Sequence, residues 1–370
     1  MKNNEWRMIS VLDSARLART PRLLLEADLW PVQGDRFQPT GFPDLGAATY
    51  TRPNGVEMVL VESAQSMANR LEAVCWDDSR DDLVPELDGM PYVMVNLSSA
   101  TGKPRTSSIL EFHRLNSPYI MSSSECFADR LASEAGLVAR SRQRKGDSEG
   151  DSILGMIDMA GLAKACFRFD PNSVLHGVFL EKIDGRARLT RLLSAFVEAE
   201  NARPAESGGV KLDRVQPSGS AKDGYGNVPF RRIEYVAERI TAYFSLDLAT
   251  LGGYNLPEPA SRLLISLALW KIRKLLSDSL RFRTACDLEV KELRVMKPSE
   301  FKIPGADSLT AAVSKAIAEC RQAQLFADPP ITHLTWSPPK RAKKADGAKN
   351  DDRIHDESAK NDGDGDASGE

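Results

Sequence analysis

The 370-residue chain (40.7 kDa) is long enough for two ordinary domains or one large domain with insertions. Its 42% hydrophobic content excludes a wholly disordered polymer. Its 49 Lys and Arg against 52 Asp and Glu, a net charge of −3, lack the basic excess of many nucleic-acid binders, so any polyanion site must be a local groove. The N-terminal MKNNEWRMIS has no apolar stretch of a secretory signal. Cys75, Cys126, Cys166, Cys286 and Cys320 are scattered without a CxxC pair, which fits reduced thiols in a cytoplasmic protein rather than a disulfide framework or structural zinc site.

The first predicted element is a hairpin. Ala47–Arg52 and Val56–Val61 flank Pro53-Asn54-Gly55, and Asn-Gly tolerates the positive φ of a tight turn. A helix follows, with Ala64, Met67, Ala68, Leu71, Val74 and Cys75 on one face. The acidic pairs Asp77-Asp78 and Asp81-Asp82 have no calcium-loop spacing and read as a solvated loop. Pro91–Leu97 reads as a strand. It is followed by Lys103-Pro104-Arg105-Thr106-Ser107-Ser108, whose cations and hydroxyls suit phosphate oxygens.

His113 has no nucleophile or acid partner at a recognisable spacing and reads as structural. Residues 141–152, with Arg142, Arg144 and Lys145, form a polar flexible break. Ser173–Ile183 reads as a strand holding His176 as a satisfied core residue, turned by Asp184-Gly185 into Arg186–Leu189. A helix is expected near Arg191–Asn201 and a second flexible loop over 203–228. Gly219–Gly226 has the gap of a phosphate loop, but Tyr225 stands where lysine must follow the second glycine.

Ile233–Leu248 and Cys286–Met296 read as strands. Pro259–Ser279 and Ser308–Gln322 read as helices. The apolar run Leu263–Trp270 is too short to span a membrane and is expected to be a buried helix. From Pro338 to Glu370, Ile354 is the only large aliphatic residue, so 338–370 is expected to be a disordered charged tail beside a body at 1–337.

Hairpins mixed with helices, without a strict βαβ rhythm, favour an α+β fold, with a ferredoxin-like arrangement the expected form. HExxH, HxH and GxSxG are absent, so no catalytic residue, metal site or cofactor is expected. Arg142, Arg144, Tyr225, Phe230, Arg231 and Arg232 combine cations with aromatics near loops and strand ends. That is the usual division of labour for gripping a single strand.

Three blocks add a resemblance. RFQPTGFPDLGAATY (Arg36 to Tyr50) with LVESAQSMANRLE (Leu60 to Glu72) is the first. VPFRRIEYVAERITAYFSLDLATLGGY (Val228 to Tyr254) is the second, and LLISLALWKIRKLL through LRFRTACDL (Leu263 to Leu288) the third. Together they resemble the backbone subunit of the type I-U (I-G) CRISPR Cascade, the Cas-seven, Csb-one branch of the RAMP superfamily.

The resemblance implies an RRM-like palm with inserted finger and thumb elements; Gly136–Ser152 and Asp170–Ala202 are the thumb candidates. It implies copies polymerised as a helical filament along CRISPR RNA, pairing of the guide with a target DNA strand, and contacts to the large subunit and a fused processing and capping subunit. Antiviral defence without catalysis by this subunit is the implied role. The alternative is a RAMP endoribonuclease cutting guide-paired RNA.

On this reading Arg36, Gln38, Thr40 and Gly41 approach the guide backbone. Ser66, Asn69 and Arg70 form a polar stripe opposite Met67 and Leu71, and Lys103, Arg105 and Ser107 extend the grip. Such a mixture reads backbone and shape, not base edges, and membranes have no part in it.

Overall fold

The computed structural model describes Leu17 and residues 20–42, 45–98, 104–137, 157–183, 185–278 and 280–338. Strands β1 (Arg22–Pro31), β2 (Thr49–Thr51) and β3 (Glu57–Glu62) lead into helix α1 (Ala64–Ala73). Strands β4 (Tyr92–Leu97) and β5 (Arg105–Ser107) follow, then helices α2 (Met159–Phe169) and α3 (Pro171–His176). Four strands follow, β6 (Leu193–Glu200), β7 (Arg203–Lys211), β8 (Val228–Val236) and β9 (Arg239–Asp247), with residues 212–227 between β7 and β8. Helix α4 (Glu258–Ser277), strands β10 (Leu280–Arg283) and β11 (Cys286–Lys297), helix α5 (Ala306–Gln322) and strand β12 (Ile331–Trp336) complete the order.

The main sheet is antiparallel, in the order β10-β11-β1-β9-β6-β3-β2. Register aligns the buried side chains of its centre. Leu25, Ala27 and Leu29 of β1 oppose Phe244, Ala242 and Ile240 of β9, which in turn oppose Ala195, Val197 and Ala199 of β6. Helix α1 adds Met67, Ala68 and Leu71 to the core, and α4 adds Leu263, Leu264, Leu267 and Trp270. Each large aliphatic side chain removed from water there contributes about 1.5–3 kcal/mol.

The opposite face of β1, β6 and β9 is polar and aromatic. Phe196 stacks on Tyr243 at 5.0 Å. Arg239 and Arg294 close on Asp28, and the Arg294 guanidinium chiefly holds its carboxyl down at about 2. A smaller sheet joins β12, parallel, and β5, antiparallel, to the two sides of β4.

The mixed α+β class agrees with the sequence reading, as do α1, α4, α5, the strand at 92–97 and the hairpin around Gly55, where φ is +84°. Leu263–Trp270 lies inside α4, and among the described residues no helix is long and apolar enough to cross a membrane.

Other expectations fail for identifiable reasons. The helix expected near Arg191–Asn201 is strand β6: its Ala and Glu residues favour helix, but Leu193, Ala195, Val197 and Ala199 alternate inward and tertiary burial prevails. The strand expected at Ser173–Ile183 begins as helix α3, capped by the Asp170 carboxylate, which accepts from the Asn172 N–H, with Pro171 in the first turn. His176 is buried but not fully satisfied, because its Nδ1 has no partner among the described residues.

The acidic residues after α1 are also more than a solvated loop. Asp82 accepts from Tyr92 Oη at 2.8 Å, and Asp81 pairs with Arg105.

The loop expected over 203–228 holds for 212–227, but 203–211 is strand β7, which forms a two-stranded arm with β8. β7 and β8 pair from Arg203↔Val236 to Lys211↔Val228 and prolong β6 and β9 beyond the main sheet. Most of its side chains are exposed, so the sequence carries no alternation to read, and as edge strands both tolerate proline, Pro204 and Pro229. Its tip is organised by Asp213, which accepts from the N–H groups of Val215, Gln216 and Gly226; these bonds lower its carboxyl pKa. The tail and the 141–152 break fall almost wholly outside the described residues.

Candidate nucleic-acid interface

The stretch after β1 is held at three points. Phe37 and Tyr235 exchange backbone hydrogen bonds at 2.9 and 2.8 Å, Gln38 N–H donates to Ala285 O at 2.7 Å, and Thr40 N–H donates to Val61 O at 3.0 Å. Residues 37–40 are thereby strung between the root of the arm, the β10–β11 turn and the end of β3. Gly41 follows under a hard steric limit: a Cβ there would sit 2.4 Å from Gly46 O. Its glycine therefore has a fold-internal reason besides any approach to phosphate.

Beneath this strap lies Glu62, with only 2% of its side chain exposed. It accepts from Ser66 Oγ, from Arg70 Nε at 3.3 Å and from an Arg283 Nη. Arg283 also donates from Nη1 to Gln38 O at 2.8 Å and Val61 O at 3.1 Å, so one guanidinium fixes the strap to β3. Arg70 donates to Phe282 O at 2.6 Å and lies 4.8 Å over the Phe282 ring. The Ser66–Arg70 stripe of α1 thus faces a buried carboxylate rather than open solvent.

These pieces enclose a groove of about 790 Å³ lined by Gln38, Thr40, Gly41 and Thr49 on one side, Phe230, Arg231, Arg232 and Ile233 of β8 on the other, and Arg283. Gly209 sits opposite Phe230 in the ladder, where a larger side chain would crowd the ring, already 3.3 Å from a Cβ built there. Arg231 pairs with Glu206, both largely exposed, a pair that costs little to exchange for another anion. Arg232 and Arg36 share Glu234, at 3.4 and 3.5 Å. The groove thus combines guanidinium groups, neutral hydrogen-bonding side chains and an exposed aromatic ring. Among the described residues no group of His, Cys, Asp and Glu is arranged to hold a metal ion.

Gln38, Thr40, Gly41, Arg231 and Arg232 come together here, with Arg36 beside them through Glu234. Ser66 and Arg70 lie beneath, and Asn69 accepts from Gln65 of its own helix at 3.4 Å. Tyr225 is at the tip of the arm and Arg105 is engaged with Asp81; neither lines the groove. Ser107 is buried, and its hydroxyl accepts from the Leu110 N–H, so it reaches no external phosphate. Lys103, Arg142 and Arg144 lie outside the described residues. Sequence reasoning missed Arg283 and Glu62. Alternation in β10, with Leu280 and Phe282 inward, was the available signal for Arg283.

The family model of CRISPR-associated protein GSU0053 matches residues 23–204, just under half of the chain. The match contains the strap, β3 and α1; β8 and Arg283 lie beyond it.

No curated protein matches the chain. Among solved structures, a chain of a "CRISPR RNA-guided surveillance complex, pre-nicking" aligns over 82% of this chain and 87% of its own, at 12% identity and a TM-score of 0.39. Csc2 of Thermofilum pendens aligns over 85% and 80%, at 10% identity and a TM-score of 0.28. Likeness at that level bears on neither binding nor activity.

Proposed function

We propose that this chain is a non-catalytic backbone subunit of a type I-U (I-G) Cascade that holds CRISPR RNA in the groove between the strap and the arm. The observation that carries the reading is the convergence of Gln38–Gly41 with Phe230–Arg232 and Arg283 in one open groove. Guanidinium groups neutralise phosphates, while Gln38 and Thr40 offer contacts indifferent to sequence. A subunit that must accept any spacer needs that indifference.

The RRM-like palm belongs to the same proposal. The strand order β11-β1-β9-β6, with α1 between β1 and β6 in the chain and α4 between β9 and β11, supports it. In place of the thumb candidates Gly136–Ser152 and Asp170–Ala202, the arm β7–β8 is the better thumb, because it stands beyond the sheet with Val210, Leu212, Val215 and Tyr225 exposed. Residues 1–337 are the functional body, with 338–370 an appended tail. Polymerisation on the guide, support of pairing with a target DNA strand in antiviral defence, contacts with the large and the processing subunits, and a cytoplasmic setting complete the reading.

The test is guide binding at several salt concentrations on two unrelated spacers. Replacing Arg231 or Arg232 by Ala should weaken both spacers equally and flatten the slope of log affinity against log salt by about 0.7. Gln38→Ala should lower affinity and leave the slope alone. Loss confined to one spacer, or an unchanged slope in both arginine variants, would remove the groove from the RNA path.

A further inference from the structure

A second cleft, of about 620 Å³, opens beside the first turn of α1, with Gln65, Arg114, Arg188 and Arg191 in its lining. Its wall is a tight chain reversal. Val178-Phe179 pairs with Arg188-Leu189, and Gly177, at φ +80°, lets the segments close, since a Cβ there would lie 2.8 Å from Arg191 N. The reversal delivers Arg188 and Arg191 to one cleft.

The charge of these two arginines is not balanced by their surroundings. Arg114, on the same wall, is neutralised by Glu72 through paired bonds of 2.6 and 2.8 Å. Arg188 is exposed and rests its guanidinium over the Phe179 ring at 4.7 Å. Arg191 is partly buried and donates to neutral acceptors: His176 O at 3.4 Å, Ala64 O at 3.0 Å and Gln65 Oε1 at 3.1 Å. Neither has a carboxylate partner among the described residues, and two of the five N–H groups of Arg191 have no acceptor there. Burial, and then the nearby Arg114 cation, push the Arg191 pKa down against the pull of Glu72. Glu181 is the one carboxylate in the lining, set against three guanidinium groups. A cation withdrawn from water without a counter-ion is costly, and an incoming anion relieves that cost.

The cleft lies next to the groove along the chain. The strap is bonded to β3 at Val61, just before α1 begins; Gln65 lines the cleft, while Ser66 and Arg70 reach Glu62 beneath the strap. A guanidinium fork matches the oxygens of a phosphate. We infer that the cleft binds a phosphodiester group of the same single RNA strand, held by Arg188 and Arg191 where the strand leaves the groove past the start of α1. The inference rests on the guide-binding reading of the groove and extends its grip to a second phosphate site. Such a contact carries no base information, as a subunit indifferent to sequence requires.

The probe is a fluorescein-labelled single-stranded oligouridylate bound by the full chain at several salt concentrations and followed by anisotropy. Arg188→Gln and Arg191→Gln should each weaken binding roughly tenfold and flatten the slope of log affinity against log salt by about 0.7. Arg191→Lys, which keeps the charge and gives up the fork, should retain the wild-type slope. The urea midpoint of Arg188→Gln should match the wild type, because that side chain is exposed and without an ion pair. Wild-type affinity and slope in both glutamine variants, with Arg231→Ala still flattened, would overturn the cleft and leave the groove. Flattening in the glutamine variants with none in Arg231→Ala would remove the groove and keep the cleft as a phosphate site. Inorganic phosphate that raises the melting midpoint of the wild type but not of Arg188→Gln, at equal RNA affinity, would overturn the strand assignment in favour of a free-phosphate site. Self-association in sedimentation that is lost in Arg188→Gln, again at equal RNA affinity, would give the arginines to carboxylates of a neighbouring protein and overturn it too.

Discussion

Replacing Glu62 by Gln is the sharpest test of how the groove is built. The change keeps shape and one carbonyl acceptor but removes the negative charge that faces Arg70 and Arg283. Breaking a wholly buried pair costs about 3–5 kcal/mol. Here the carboxylate is buried, while the guanidinium side chains keep 28% and 23% exposure, so water relieves part of the strain on the cations. Arg283 also retains Gln38 O and Val61 O, and Arg70 retains Phe282 O. A loss of about 2 kcal/mol is therefore expected, a large share of the roughly 5–15 kcal/mol that holds a domain. Urea unfolding followed by tryptophan fluorescence reads it directly. With a slope of roughly 3 kcal/mol/M, the midpoint should fall by about 0.7 M. Arg80→Ala, which breaks the exposed 3.4 Å pair with Asp88, is the control and should cost under about 1 kcal/mol. If Glu62→Gln cost no more than that control, the carboxylate would not be the keystone of the strap and the reasoning would be refuted.

Two further outcomes are expected. Burial raises the Asp170 carboxyl from 3.8 to about 6, against the opposing hydrogen bonds of Ser173 and Ser108. The folded chain then binds a proton that the unfolded chain releases between about pH 4 and 6. Stability should therefore fall as pH climbs through that window, by on the order of 3 kcal/mol, and level off above it. Asp170→Asn should flatten the fall in urea midpoints measured at pH 4.5 and 7, and an unaltered profile would show that Asp170 is not its source. Purified chain with guide and complementary RNA or DNA, in magnesium or manganese, should leave both strands intact. Reproducible cleavage lost on replacing Asp35, the acid that immediately precedes Arg36 and the strap, by Ala would instead favour the RNA-cutting alternative.

What the sequence disclosed follows from where the signal is local. Helices α1, α4 and α5 bury one or more faces at helical spacing, and the Pro53-Asn54-Gly55 turn is written in three adjacent residues. Strand β6 was illegible because its helix-forming alanines and glutamates are overruled only by neighbours on β9 and β3. Helix α3 carried its mark in Asp170-Pro171, but the apolar stretch after it drew the eye to a strand. Strands β1 and β12 and helix α2 went unread.

In the groove, Gln38–Gly41 and Arg231-Arg232 were visible as residue types. The carboxylate that organises them was not, because Glu62 and Arg283 meet across 221 residues of chain. No spacing rule reaches that far. Only the sheet, by setting β10 and β3 near the same strap, brings them together.

The arm β7–β8 also bears on how such a chain can diversify. Its two strands are paired with each other and join the body at Phe37–Tyr235 and at β6 and β9. Because pleated side chains alternate with a period of two, adding or deleting a residue pair in each strand would lengthen or shorten the arm and preserve every register in the sheet below. Reach can therefore drift between relatives while the core residues stay under their own selection. An arm grafted between homologues at Asn201 and Ala237 would transfer its span without asking the receiving body to refold.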